Sequence, residues 1–122
     1  MRTLHLVLKR KWFEMIASGK KTEEYREIKP YWIKRLLNIN EPKSYFDNMS
    51  KSGNRPALIC YLITAFACGF AKDYTHVTFQ LGYQKNAPRM TFEIERISMG
   101  LGYKPWGAPD NEVFIIKLGK II

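Results

Sequence analysis

The chain opens on strict alternation. In "TLHLVL", Leu4, Leu6 and Leu8 recur at every second residue, which places them on one face of a strand. The period then changes. In "KRKWFEMIASG", Trp12, Met15 and Ile16 fall at helical spacing beside Phe13 and Ala17, and Gly19 is a natural stop. Alternation returns in "KTEEYREI", a second strand. There Thr22, Glu24, Arg26 and Ile28 share one face, and Glu23, Tyr25 and Glu27 share the other. Pro30 suits the first turn of a short helix, "PYWIKRLLN", with Trp32, Ile33, Leu36 and Leu37 as its apolar side.

Residues 39–56, "INEPKSYFDNMSKSGNRP", show no period and carry loop chemistry. From Ala57 to Ala71, "ALICYLITAFACGFA" is apolar on all sides. It is shorter than the roughly 20 residues of a membrane span, and its pattern leaves a buried helix or a strand open. "THVTFQLGY" alternates again, with Thr75, Val77, Phe79, Leu81 and Tyr83 facing one way. "QKNAPR" is a turn and "MTFEIERISM" the returning strand of a hairpin. The apolar parity of that strand switches near Glu95 and Arg96, which predicts a β-bulge. A Gly/Pro loop, "GLGYKPWGAPDNE", leads to a last strand, "VFIIKLGKII". The order predicts an α+β fold in one domain spanning residues 1–122: a small, mostly antiparallel, closed or half-closed barrel flanked by short helices.

Charge narrows the function. The net charge is +9, and the excess is one-sided: residues 1–56 hold 13 basic and 6 acidic side chains, residues 57–122 hold 7 and 5. A lopsided basic surface points to a polyanion, nucleic acid first, with a merely soluble basic surface as the plain alternative. The apolar stretch near the N-terminus is too brief for a secretory signal and runs into basic residues. Cys60 and Cys68 lie in the apolar run, so they are expected to be reduced, buried and poorly reactive, as in a cytoplasmic protein. Two His and two Cys without tight spacing predict no metal site, and no cofactor motif is present.

Gly19, Lys21, Glu24 and Arg26 spell G-x-K-x-x-E-x-R between a strand–helix unit and the strand they open. This resembles the signature of ASCH domains, which belong to the PUA-like superfamily. "EYREIKPYWIKRLL", "VTFQLGYQKNAPRMTFEIERI" and "WGAP…VFIIKLGKII" resemble one bacterial and phage subfamily; residues 39–73 form the unmatched variable segment. The resemblance implies a PUA-like β-barrel with a cleft between barrel and helices, and an RNA-related role. Most such proteins are inferred to bind RNA or nucleotides. A few are amidohydrolases that deacetylate acetylcytidine with the motif lysine, a threonine at the position of Glu24, and a helix-borne glutamate. This chain has "GLGYKPWGAPDNE" in place of that helix, leaving Glu93, Glu95 and Glu112 as the nearby carboxylates.

Glu24 and Arg26, two apart on a strand, are same-face neighbours and read as an ion pair that holds the guanidinium for bidentate work. Lys21 meets a phosphate as a point charge or, with a lowered pKa, serves as a base; a carboxylate beside it favours the ammonium form. The plain alternative is a solvated lysine and a surface ion pair worth little. Lys9, Arg10 and Lys11 start a helix whose dipole they oppose, which hints at a phosphate. Of the aromatics near element ends (Tyr31, Trp32, Tyr83, Tyr103 and Trp106), Tyr31 and Trp106 are the first candidates to stack a base. Three functions follow in order. The first is an RNA or nucleotide binder using Lys21, Glu24, Arg26, Lys9, Lys11, Tyr31 and Trp106. The second is an amidohydrolase with Lys21 and Glu24 catalytic. The third is a regulatory domain that contacts a protein partner through residues 39–73.

Overall fold

The computed structural model describes residues 2–51 and 53–122. The elements run β1 (Thr3–Leu8), α1 (Arg10–Ala17), β2 (Glu23–Glu27), α2 (Pro30–Leu36), α3 (Lys43–Lys51), α4 (Arg55–Ala67), β3 (His76–Leu81), β4 (Arg89–Gly100), a short 3₁₀ turn (Lys104–Trp106) and β5 (Val113–Ile121). The fold is α+β: one curled five-stranded sheet in the order β1-β3-β4-β5-β2, a half-barrel with short helices against it.

The alternating strands behave as their pattern requires. Leu4, Leu6 and Leu8 of β1 and Val77 and Phe79 of β3 are all buried in the core with Phe92, Phe114 and Ile116. The β4–β5 ladder shifts register between Phe92 and Ile94 and again between Ile94 and Arg96, so the expected bulge is present at Glu95. Such bulges sharpen the bend of a strand, which suits a sheet that curls.

Four expectations are corrected. The sheet is mixed: β3–β4, β4–β5 and β2–β5 pair antiparallel, but β1 pairs parallel with β3, Thr3 opposite His76 through Leu8 opposite Leu81. A parallel pair needs a long crossover, and here α1, β2 and three further helices supply it. Residues 39–56 are not all loop. They contain α3, whose Phe46 is fully buried and stacks edge-on near Tyr61 at 6.0 Å. Phe46 and, one turn later, the partly buried Met49 are the core contacts of this nine-residue helix, too few repeats for a period to be read.

The third correction concerns the thiols. The apolar run is helical, with Leu58, Ile59, Leu62 and Ala65 turned inward, but Cys60 and Cys68 are exposed rather than buried. They line an apolar groove of about 640 Å³ with Ile39, Tyr61 and Phe70. Tyr83 also leaves the face expected of it, because β3 ends at Leu81. Among the described residues no helix is long and apolar enough to cross a membrane.

Candidate functional site: a cleft at the open seam

A half-barrel leaves two edge strands, β1 and β2. They are brought to face each other across a seam, and a cleft of about 720 Å³ lies along it. That volume is within the roughly 300–1,000 Å³ of small-ligand sites. Its walls come from His5–Lys9, from Trp12 of α1, from β2, from α2 and from the loop after β4.

Local chain reversal delivers the motif to this place. α1 stops at Ser18, and Gly19 takes a left-handed φ of 79°, which a side chain would strain. Lys21 N–H then donates back to Met15 O at 3.0 Å, so Lys21 enters the cleft just before β2 begins. The side chain is only 2% exposed. Its Nζ donates to Glu24 Oε1 at 2.9 Å and to Trp106 O at 2.7 Å, and lies 4.4 Å from the centre of the Trp12 ring. Burial pushes the Lys21 pKa down; the charge and hydrogen bond of Glu24 oppose this, and Arg26 adds to the fall. The expectation that Glu24 favours the ammonium form holds for its own contribution, but desolvation outweighs it.

Glu24, 4% exposed, also accepts from the Tyr25 backbone N–H at 2.9 Å through the same Oε1. Its Oε2 faces Arg26 Nη1 at 3.3 Å. Arg26 Nη1 donates to Tyr25 O at 2.7 Å, and Nη2 reaches across the seam to Val7 O at 3.4 Å. On α2, Arg35 Nη2 donates to His5 O at 2.8 Å. These bonds share one logic. The backbone groups of Tyr25 that point away from β5, and the carbonyls of His5 and Val7 that point away from β3, are those a closed barrel would pair strand to strand. Glu24, Arg26 and Arg35 pair them instead. Edge strands left bare are aggregation templates; here side chains occupy the edges while the seam stays open as a cleft.

Stacking completes the walls. The Arg26 and Arg35 guanidinium carbons lie 5.2 Å and 5.4 Å from the Trp32 ring centre, and Tyr31 meets Trp32 edge-on at 4.8 Å. On the other side the loop after β4 closes over Lys21. Tyr25 Oη accepts from Tyr103 N–H at 3.0 Å and donates to Glu23 Oε1 at 2.9 Å. Burial, with smaller contributions from Glu23 and Glu24 against that of the Tyr103 N–H, pushes the Tyr25 phenol up to about 12. A Cβ on Gly102 would lie 2.6 Å from Ala108 Cβ, and one on Gly107, at φ 99°, would lie 3.0 Å from Trp12. The loop is therefore seated by close backbone approach.

The predicted site residues are placed as follows. Lys21, Glu24, Arg26, Lys9, Tyr31 and Trp106 all line the cleft. Lys11 does not; its Nζ sits 4.7 Å from the Trp12 ring centre, and it borders a separate shallow groove. Glu93, Glu95 and Glu112 are not in the cleft: Glu95 pairs with Lys117 at 3.4 Å and Glu112 with Arg55 at 3.7 Å. Tyr83, one of the aromatics near element ends, lines it too, as do Trp12, Arg35 and His5, which the sequence does not mark as site residues. Trp12 and Arg35 lie on helices whose spacing explains them as amphipathic surface, and the Trp106 carbonyl has no sequence signature at all. Among the described residues no cluster of three His, Cys, Asp or Glu side chains forms a candidate metal site. No family model, no curated protein and no solved structure is significantly similar to this chain.

Proposed function

We propose that the chain is an ASCH-type domain with a PUA-like half-barrel, and that it binds RNA or a nucleotide in the seam cleft. One observation carries the reading: the cleft is cationic and contains every tryptophan of the protein, Trp12, Trp32 and Trp106. Lys9, Lys21, Arg26, Lys29 and Arg35 line it against Glu24 and Glu27. Two of those cations are already matched, Lys21 by Glu24 at 2.9 Å and Lys29 by Glu27 at 2.8 Å. Arg26 shares Glu24 with Lys21, at 3.3 Å, and the surplus lies with Lys9 and Arg35, which suits a phosphate, while the indoles and Tyr31 offer flat walls for a base. In this reading Lys21 and Glu24 form the buried floor, and Arg26, half-buried, is the motif member that reaches the ligand. The free thiols fit a reducing compartment, and the cytoplasm is proposed on that ground.

A second reading, an amidohydrolase, is favoured by the depressed Lys21 pKa. It ranks lower because the same nitrogen is held by Glu24 and by the Trp106 carbonyl, and among the described residues no carboxylate beyond Glu24 and Glu27 lines the cleft.

Counterion release tests the binding reading. The affinity for a fluorescent single-stranded RNA, followed by anisotropy, is expected to fall steeply and linearly on a log–log plot against salt. Lys9→Ala is expected to shallow that slope by about one, as the loss of one phosphate contact does. A flat response, or no binding at low salt, contradicts the reading.

A further inference from the structure

Tyr83 has no part in the architecture just described. It is 89% exposed, the most exposed large apolar side chain among the described residues, yet it lines the cleft. No hydrogen bond or ring contact from the described residues reaches it. Tyr31, the other exposed tyrosine of the cleft, differs: its hydroxyl accepts from Arg35 Nη1 at 3.1 Å, and its ring meets Trp32.

The backbone under Tyr83 is nonetheless fixed. Gly82 N–H donates to Leu8 O at 3.1 Å, and Gly82 O accepts from Gln80 Nε2 at 2.8 Å. Gly82 and Asn86 take φ values of 69° and 64°, which define the reversal. The bond from Gly82 to Leu8 ties the start of this turn to the end of β1, so Tyr83 and Lys9, each one residue further on, share the rim. An unemployed aromatic ring on a pinned turn at the mouth of a cleft that Lys9 also lines offers what one further nucleotide unit requires: a face for the base and a charge for the phosphate. The interior walls are a separate set, Trp12, Trp32 and Trp106.

We infer that Tyr83 stacks the base next to the one held in the cleft, so that the preferred partner is a single strand of at least two nucleotides and not a free mononucleotide. This rests on the nucleotide reading of the cleft, and the test separates the two.

The experiment compares AMP, CMP and UMP with the hexanucleotides rA6, rC6 and rU6 on the full chain, by calorimetry, for wild type, Tyr83→Ala and Tyr83→Phe. The wild type is expected to bind a hexanucleotide more tightly than its mononucleotide. Tyr83→Ala is expected to weaken hexanucleotide binding by about 5- to 150-fold, the range of one lost stack, and to leave mononucleotide binding unchanged. Tyr83→Phe keeps the ring and is expected to keep the affinity. An unchanged hexanucleotide affinity in Tyr83→Ala overturns the inference while the cleft reading stands, as does an equal loss for both ligand sizes. Failure of the wild type to bind either size overturns both.

Discussion

Glu24→Ala is expected to remove about 3–5 kcal/mol of folding stability, a large share of the ~5–15 kcal/mol available to a domain. The carboxylate is buried and serves three groups at once: Lys21 Nζ at 2.9 Å, the Tyr25 N–H at 2.9 Å and Arg26 at 3.3 Å. Truncation strands an ammonium in a dry site and leaves a backbone donor of an edge strand unpaired. Each of these costs more than the hydrogen bond it loses, because the desolvation has already occurred. Lys21→Met is expected to cost less, since it removes the buried cation along with its desolvation penalty. Glu24→Ala on that background is then expected to cost less than it does alone. Urea unfolding of the four proteins measures this. A loss below about 1 kcal/mol for Glu24→Ala would equate the pair with an ordinary surface salt bridge and sink the account of the seam.

Gly102→Ala is the second large effect. The new methyl would lie 2.6 Å from Ala108 Cβ and 2.8 and 2.9 Å from two ring atoms of Tyr25. Neither neighbour is the free end of a flexible chain, so the backbone of the loop must move. Overpacking of this kind costs about 1–3 kcal/mol. The displacement also has a local signature. Moving the loop off Tyr25 relieves its burial and breaks the hydrogen bond from Tyr103 N–H. Burial is the larger influence, so the phenol is expected to drop from about 12 towards its ordinary value. Ultraviolet titration of the tyrosines follows it. A variant with wild-type stability and an unmoved high-pH tyrosine step would show that the loop is not seated by this contact.

Local physics made much of the architecture legible in the sequence. The two-residue period of Leu4, Leu6 and Leu8, the parity switch at Glu95 and Arg96, and Gly19 after an amphipathic turn each depend on neighbours a few residues away, and each is realised. What escaped depends on distant partners. The parallel pairing of β1 with β3 joins residues more than 70 positions apart, and no local pattern encodes it. A run that is apolar all round does not say which side will be covered, so it suggests buried thiols where Cys60 and Cys68 in fact lie outward. The candidate site divides in the same way. Same-face spacing on β2 brings Glu24 to Arg26. The groups that seal Lys21, the Trp106 carbonyl and the Trp12 ring, come from other parts of the chain.

The charge of the motif and its aromatic surroundings thus have one physical explanation. A half-barrel must satisfy two open edges without closing, and Glu24, Arg26 and Arg35 do so with their side chains, the two guanidinium groups lying over Trp32. The proposal that a nucleotide occupies the resulting cleft is tested most directly through the indoles, because all three tryptophans of the chain line it. In a ¹⁵N-labelled sample at low salt, titration with nucleoside 5′-monophosphates is expected to shift the indole N–H signals of Trp12, Trp32 and Trp106 together and to saturation. Indole signals that stay fixed throughout the titration, or shifts confined to the Tyr61 and Phe70 groove, would contradict the account.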